Sequence, residues 1–115
     1  SSLSAYRGMP FASAYGASKA ALTNMCESLK PELDNFKVKL SVVHPGFVDT
    51  PLTNQNDFKM PFLVDVEFAS KRILAGINRG KFEIVFPSTF SLIMKLFRIL
   101  PYSLYFLVTK RMVKK

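Results

Sequence analysis

Cysteine occurs once in this chain, at Cys26, and histidine once, at His44. A single thiol excludes an intrachain disulfide and a thiolate metal site, so no metal is expected and a reducing, cytoplasmic setting fits best. His44, between Val43 and Pro45, reads as a structural residue at a strand end rather than a ligand or a base. The five glycines (Gly8, Gly16, Gly46, Gly76 and Gly80) are scattered, so no G-x-G-x-x-G turn for cradling phosphates is present. Acidic residues are missing from residues 84–115, which hold six Lys/Arg, whereas residues 1–83 hold ten basic and eight acidic residues. Six of the eight net positive charges therefore lie in the tail, and the body is nearly balanced. An uninterrupted membrane span is also lacking. The apolar stretch from Phe90 to Val108 contains Lys95, Arg98 and Pro101, and each central cation costs roughly 2.5 to 3.5 kcal/mol on insertion. With 49% apolar residues in 115, the chain can form a small core and is not disordered.

The chemistry lies near the start. Tyr15 and Lys19 are four residues apart in Tyr15-Gly16-Ala17-Ser18-Lys19, followed by the helix formers Ala20-Ala21-Leu22. The phenol and the ammonium therefore project from one helix face. A free tyrosine, with a pKa of roughly 10, is a poor base at neutral pH, and a neighbouring cation favours its phenolate. Ser2 precedes Tyr15 by thirteen residues, with Gly8-Met9-Pro10 between them, and Pro45-Gly46-Phe47-Val48-Asp49-Thr50 follows a β-branched run beyond the helix.

These three elements, in this order and spacing, resemble the short-chain dehydrogenase/reductase family, with its Ser, Tyr-x-x-x-Lys and Pro-Gly-x-x-x-Thr motifs. The likeness covers residues 1 to 86 well and the remainder more loosely. It implies an α/β fold, the carboxyl-terminal portion of a doubly wound, Rossmann-type parallel-sheet domain. Because the family's glycine turn has no counterpart here, the chain is expected to be part of a longer enzyme. The resemblance further implies a hydride transfer between NAD or NADP and an alcohol or carbonyl substrate. Ser2, Tyr15 and Lys19 would be catalytic, with Tyr15 as general acid/base. Tyr15 and Lys19, with Pro45, Gly46, Val48 and Thr50, would contact the cofactor on its nicotinamide side. The family's relay asparagine lies upstream of these motifs, so Asn24 takes no such role.

Along the chain, residues 1–10 read as a loop, with turn chemistry at Arg7-Gly8-Met9-Pro10. Ser13 is expected to cap a helix running to Leu33, with Pro31 near its end and Ala17, Ala21, Leu22, Met25, Leu29 and Leu33 buried. Val38 to Val43 reads as a parallel strand ended by Pro45-Gly46, whose following loop lies where ligands collect in open α/β sheets. Residues 51–64 form a long connection in which Phe58, Met60, Phe62 and Leu63 either make an apolar lid or pack on the surface. Asp65 caps a helix through Arg79, with Phe68 or Ala69, Ile73, Gly76 and Ile77 inward and Gly80 as its stop, before a strand from Phe82 to Phe86.

Residues 1–87 thus form a catalytic body and residues 88–115 a basic amphipathic tail, read as one helix. Ser91, Lys95, Arg98 and Tyr102 fall on its polar face, and Leu92, Ile93, Leu96, Phe97, Ile99 and Leu100 on its apolar face. A Leu/Ile/Phe face does not suit nucleic acid, which needs exposed stacking aromatics. Peripheral contact with an anionic membrane surface and docking in a homo-oligomer are equally compatible with it. The competing functional class is a non-catalytic membrane- or protein-binding module that retains the fold.

Overall fold

Helix-forming and strand-forming stretches alternate along the chain, and the computed structural model, which describes residues 1–51, 60 and 62–113, follows that alternation. A 3-10 turn at Leu3–Ala5 leads to α1 (Ser13–Asn35), β1 (Val42–Pro45), α2 (Val66–Asn78), β2 (Glu83–Phe86), α3 (Ser88–Ile99) and α4 (Tyr102–Val113). β1 and β2 pair in parallel, from Val42 opposite Glu83 to Pro45 opposite Phe86, with α2 as the crossover. This is the α/β, Rossmann-type arrangement expected from the sequence, present among the described residues as a two-stranded sheet.

Strand alternation assigns the two faces. Ile84 and Phe86 point to α2 and form a cluster with Ala69, against which Val43, Val48, Val64 and Ile73 pack. Val85 points the other way, to Leu3, Tyr6 and Met94, with Met9, Phe90 and Phe97. The sheet is therefore covered by α2 on one face and by the 3-10 turn and α3 on the other.

α2 forms as its sequence indicates. Asp65 accepts a hydrogen bond from the Phe68 N–H at 2.7 Å, and Gly80, at φ 67°, ends the helix in a conformation that costs glycine little. Ala69 and Gly76 are its buried positions, while Phe68 and Ile77 are exposed. Gly76 allows the helix to lie against β2, since a methyl group there would meet Ile84 Cγ1 at 2.5 Å. Gly76→Ala is expected to lower the melting temperature of the full-length protein. Overpacking of about 1–3 kcal/mol against a branched side chain exceeds the ~1 kcal/mol gain in helix propensity. An unchanged or raised melting temperature would contradict this close packing.

Several expectations require correction. The residue before α1 is Ala12, with no side-chain cap, so Ser13 begins the helix instead of capping it. α1 runs past Pro31 to Asn35, and its buried residues are Gly16 and Cys26. Ala17, Ala21, Leu22, Met25 and Leu29 are exposed, because the helix meets the 3-10 turn through small residues and turns its larger apolar side chains away from the sheet. β1 begins at Val42 and not at Val38, since pairing exists only where β2 lies opposite, and Lys37 turns the chain at φ 57°.

The tail is two helices rather than one. Leu100, extended at φ −67° and ψ 137°, precedes Pro101, whose ring disfavours helical backbone before it. The two expected faces of α3 are not kept apart: Phe97, placed with Leu92 and Leu96 on the apolar face, packs inward against the cluster of Leu3, Tyr6 and Met94. Ser91 and Met94 are buried and Lys95 pairs with Glu83 at 2.8 Å, whereas Leu92, Leu96 and Ile99 point outward at 67%, 54% and 75% exposure. Ser91 can be buried because its hydroxyl donates to the Ser88 carbonyl at 2.8 Å. Among the described residues, no helix is long and apolar enough to cross a membrane.

Candidate functional site

The first residues of the chain lie against the first turns of α1. Ser1 Oγ donates to the Lys19 carbonyl at 3.1 Å and shares a hydrogen bond with Thr23 Oγ1 at 2.9 Å. At the other end of this contact, a methyl group on Gly16 would lie 3.6 Å from the Ser4 carbonyl oxygen. Ser2 lies in the chain between these two contacts. Its hydroxyl caps the 3-10 turn, accepting from Ser4 N at 3.2 Å and from Ser4 Oγ at 3.0 Å. Both of these bonds are received by the Ser2 oxygen, and the residue is 9% exposed.

Helical spacing brings the next pair together as expected. Lys19 Nζ lies 5.4 Å from the centroid of the Tyr15 ring, and Tyr15 is 54% exposed. The phenol and ammonium therefore share one accessible helix face, supported beneath by Gly16 on the 3-10 turn.

The carboxyl end of β1 reaches the same place through His44. This residue is 1% exposed, and its Nδ1 lies 3.0 Å from the Ser2 carbonyl oxygen, which it approaches as an N–H donor. Burial pushes the His44 imidazole below its ordinary pKa. The structural reading of His44 stands, with the addition that its partner is the backbone of Ser2.

Pro45 closes β1, and Gly46 donates to the Phe86 carbonyl at 2.9 Å. A methyl group at Gly46 would meet Phe90 at 2.9 Å and Pro87 at 3.1 Å, so the loop after β1 lies close against the start of α3 and a larger residue there would force those side chains to shift. Val48 forms a parallel bridge with Val64 and its side chain packs in the α2-facing cluster. Thr50 is half-buried at the end of this loop. Of the expected lid, Phe58 lies outside the described residues. Phe62 is 5.6 Å from the Phe90 ring, and Val64 N donates to Phe47 O at 3.0 Å, tying the returning end of the connection to the loop after β1.

Behind Ser2 lies a polar cluster with no local signature in the sequence. The Tyr6 hydroxyl donates to Glu83 Oε2 at 2.5 Å, Lys95 donates to Glu83 Oε1 at 2.8 Å, and the Tyr6 ring packs 4.8 Å from that of His44. Burial and the Glu83 contact raise the Tyr6 pKa. Burial pushes the Glu83 carboxyl up, but the bonds from Lys95 and Tyr6 outweigh it and hold the group below its ordinary value. A carboxylate with a depressed folded pKa contributes stability above its unfolded pKa and loses it as pH falls through the folded value. Glu83→Gln is therefore expected to flatten the fall in melting temperature below about pH 4.5, the region where a free glutamate protonates. Parallel acid limbs in parent and variant would count against an ionised Glu83.

A family model described as short chain dehydrogenase matches residues 1–60. An uncharacterized oxidoreductase of Myxococcus xanthus is 37% identical over 112 residues, covering 97% of this chain and 44% of its own. The 11-beta-hydroxysteroid dehydrogenase-like 3 protein of Arabidopsis thaliana is 38% identical across 70% of this chain and 27% of its own. The 3-ketodihydrosphingosine reductase of Dictyostelium discoideum is 33% identical across 69% and 27%. The chain thus spans less than half the length of these relatives. No solved structure matches it significantly.

Proposed function

The chain belongs to the short chain dehydrogenase family, and from that premise we propose that the whole protein is an NAD- or NADP-dependent oxidoreductase interconverting an alcohol and a carbonyl. The observation that carries this reading is the exposed Tyr15–Lys19 pair, on the helix to which Ser1, the neighbour of Ser2, is hydrogen-bonded. The donor set suits a nicotinamide riboside, since an ammonium and a phenol on one open helix face can reach the hydroxyls of a ribose. Lys19 and Tyr15 would hold that sugar, and Pro45, Gly46, Val48 and Thr50 would border the nicotinamide. When bound, the reduced cofactor supplies a hydride.

In the direction of reduction, Tyr15 gives its phenolic proton to the carbonyl oxygen as that carbon is reduced, and in oxidation the phenolate takes the proton back. Lys19 keeps positive charge beside the phenol throughout. Ser2, whose oxygen receives both bonds from Ser4, retains its own proton to donate to the substrate oxygen and stabilise negative charge developing there. The names of two relatives concern a hydroxysteroid and a keto group undergoing reduction, which agrees with this alcohol/carbonyl class. Turnover and cofactor binding of Tyr15→Phe and Lys19→Met in the full-length protein test it.

A second reading concerns the tail. Leu92, Leu96 and Ile99 form an outward stripe at helical spacing, on a segment with six basic and no acidic residues. That combination suits peripheral contact with an anionic membrane surface. A homo-oligomer interface is the other occupant of this stripe, and vesicle binding separates the two.

A further inference from the structure

The loop joining Ser2 to the helix of Tyr15 is strained, and it is gripped by the opposite end of the chain. Phe11 lies in the left-handed region at φ 65°, a conformation that persists in a residue other than glycine only where its surroundings over-determine it. Three consecutive residues of the same loop, Tyr6 to Gly8, are each held, directly or through Glu83, by the tail. Tyr6 bonds to Glu83, which Lys95 of α3 holds in turn, and Arg98 lies over the Tyr6 ring at 5.6 Å. Arg7 Nη1 donates to the carbonyls of Phe97, Arg98 and Leu100 at 2.8, 3.0 and 2.9 Å. These carbonyls lie at the end of α3, where helical partners run out, and Phe97 O also accepts the Leu100 N–H at 3.3 Å. The same guanidinium lies 5.0 Å from the Tyr102 ring centroid and 4.3 Å from that of Tyr105, a cation–π pair with each. Finally, the Tyr105 hydroxyl donates to the Gly8 carbonyl.

We propose that α3 and α4 act as a clamp that positions the loop of residues 3–12, and through it sets Ser2 against Tyr15, with Arg7 and Tyr105 as positioning residues. The proposal rests on the roles assigned above to Ser2 and Tyr15. Packing that served stability alone would not require the tail's polar contacts to converge on the connection between the two reacting side chains. The tail is then a working part of the site, acting through the loop.

The test uses the full-length protein carrying Arg7→Met or Tyr105→Phe, with Arg7→Lys as the conservative variant. Two quantities are read: amide hydrogen exchange across residues 5–12, and hydride transfer from NADH or NADPH to benzaldehyde and cyclohexanone as probe carbonyls. The Met and Phe variants are expected to exchange at least about tenfold faster in the loop while α2 is unchanged. Their kcat should fall at least about tenfold with cofactor affinity within about twofold of the parent, and Arg7→Lys should recover part of both losses. In a Ser2→Ala background, Arg7→Met should cost much less turnover than in the parent, because the two act on one geometry. Parental exchange in both variants, faster exchange with unchanged kcat, or full additivity with Ser2→Ala would overturn the proposal. Tyr15→Phe is assayed alongside. If it retains turnover the acid/base reading fails, while a rise in loop exchange still supports the clamp and its absence still overturns it.

Discussion

Tyr15→Phe in the full-length protein is expected to lower turnover by at least about a hundredfold, the lower range of what a positioned acid/base contributes. The substitution removes the transferable proton and little else. The ring remains, so the Lys19 ammonium 5.4 Å from its centroid keeps its aromatic partner. Tyr15 is 54% exposed, so loss of its hydroxyl leaves no buried group unsatisfied and the fold should be unaffected. Cofactor affinity should fall modestly in this variant, since the phenol is one of the two groups assigned to the ribose. Lys19→Met should impair both turnover and, more strongly, cofactor affinity, because the ammonium is assigned to the ribose as well as to the phenol. Near-parental turnover in the Phe variant would remove Tyr15 from the acid/base role and leave the chain to the competing, non-catalytic reading.

Vesicle binding should depend on α3 almost as steeply. If its outward stripe lies on a bilayer, each of Leu96 and Ile99 contributes roughly 1.5–3 kcal/mol of apolar burial, so Leu96→Asp with Ile99→Asp should weaken binding at least about a hundredfold. Attraction to anionic lipid adds about 1 kcal/mol for each basic residue near the surface. Lys110→Glu with Arg111→Glu should therefore reduce binding to anionic vesicles further than removal of two charges alone, and high salt should act in the same direction. Lys95 is unsuitable for this purpose, since it is bound to Glu83 in the cluster behind Ser2. Co-sedimentation with neutral and anionic vesicles is the measurement. A homo-oligomer interface predicts instead a changed assembly mass in the Asp variant and no lipid dependence. Failure of the parent to bind either kind of vesicle would sink the membrane reading.

What the sequence determined by itself was local in origin. The four-residue step from Tyr15 to Lys19 places both on one helix face, since helical geometry repeats at that interval. Asp65 before its helix, Gly80 after it, and Pro45 at the end of β1 act through their own backbone or their nearest neighbours, and each does what its chemistry requires. The parallel pairing of β1 with β2 followed from two apolar runs separated by a helix.

Tertiary structure decided which faces are buried. Periodicity marks the axis of an amphipathic helix but not the side that meets the body when the polar side can be satisfied there. On α3, Lys95 finds Glu83 and Ser91 finds the Ser88 carbonyl, so these polar residues turn inward and Leu92, Leu96 and Ile99 turn out. On α1, Gly16 allows a closer approach to the 3-10 turn than a leucine would, and the larger apolar side chains are displaced from that contact. The connections that hold Ser2 and the loop after it are equally non-local: His44 reaches the Ser2 carbonyl from 42 residues away, and the Arg7 and Tyr105 contacts span 90 residues or more. Pairings at such separations leave no mark on local composition or spacing, because they depend on where the folded sheet carries each end of the chain.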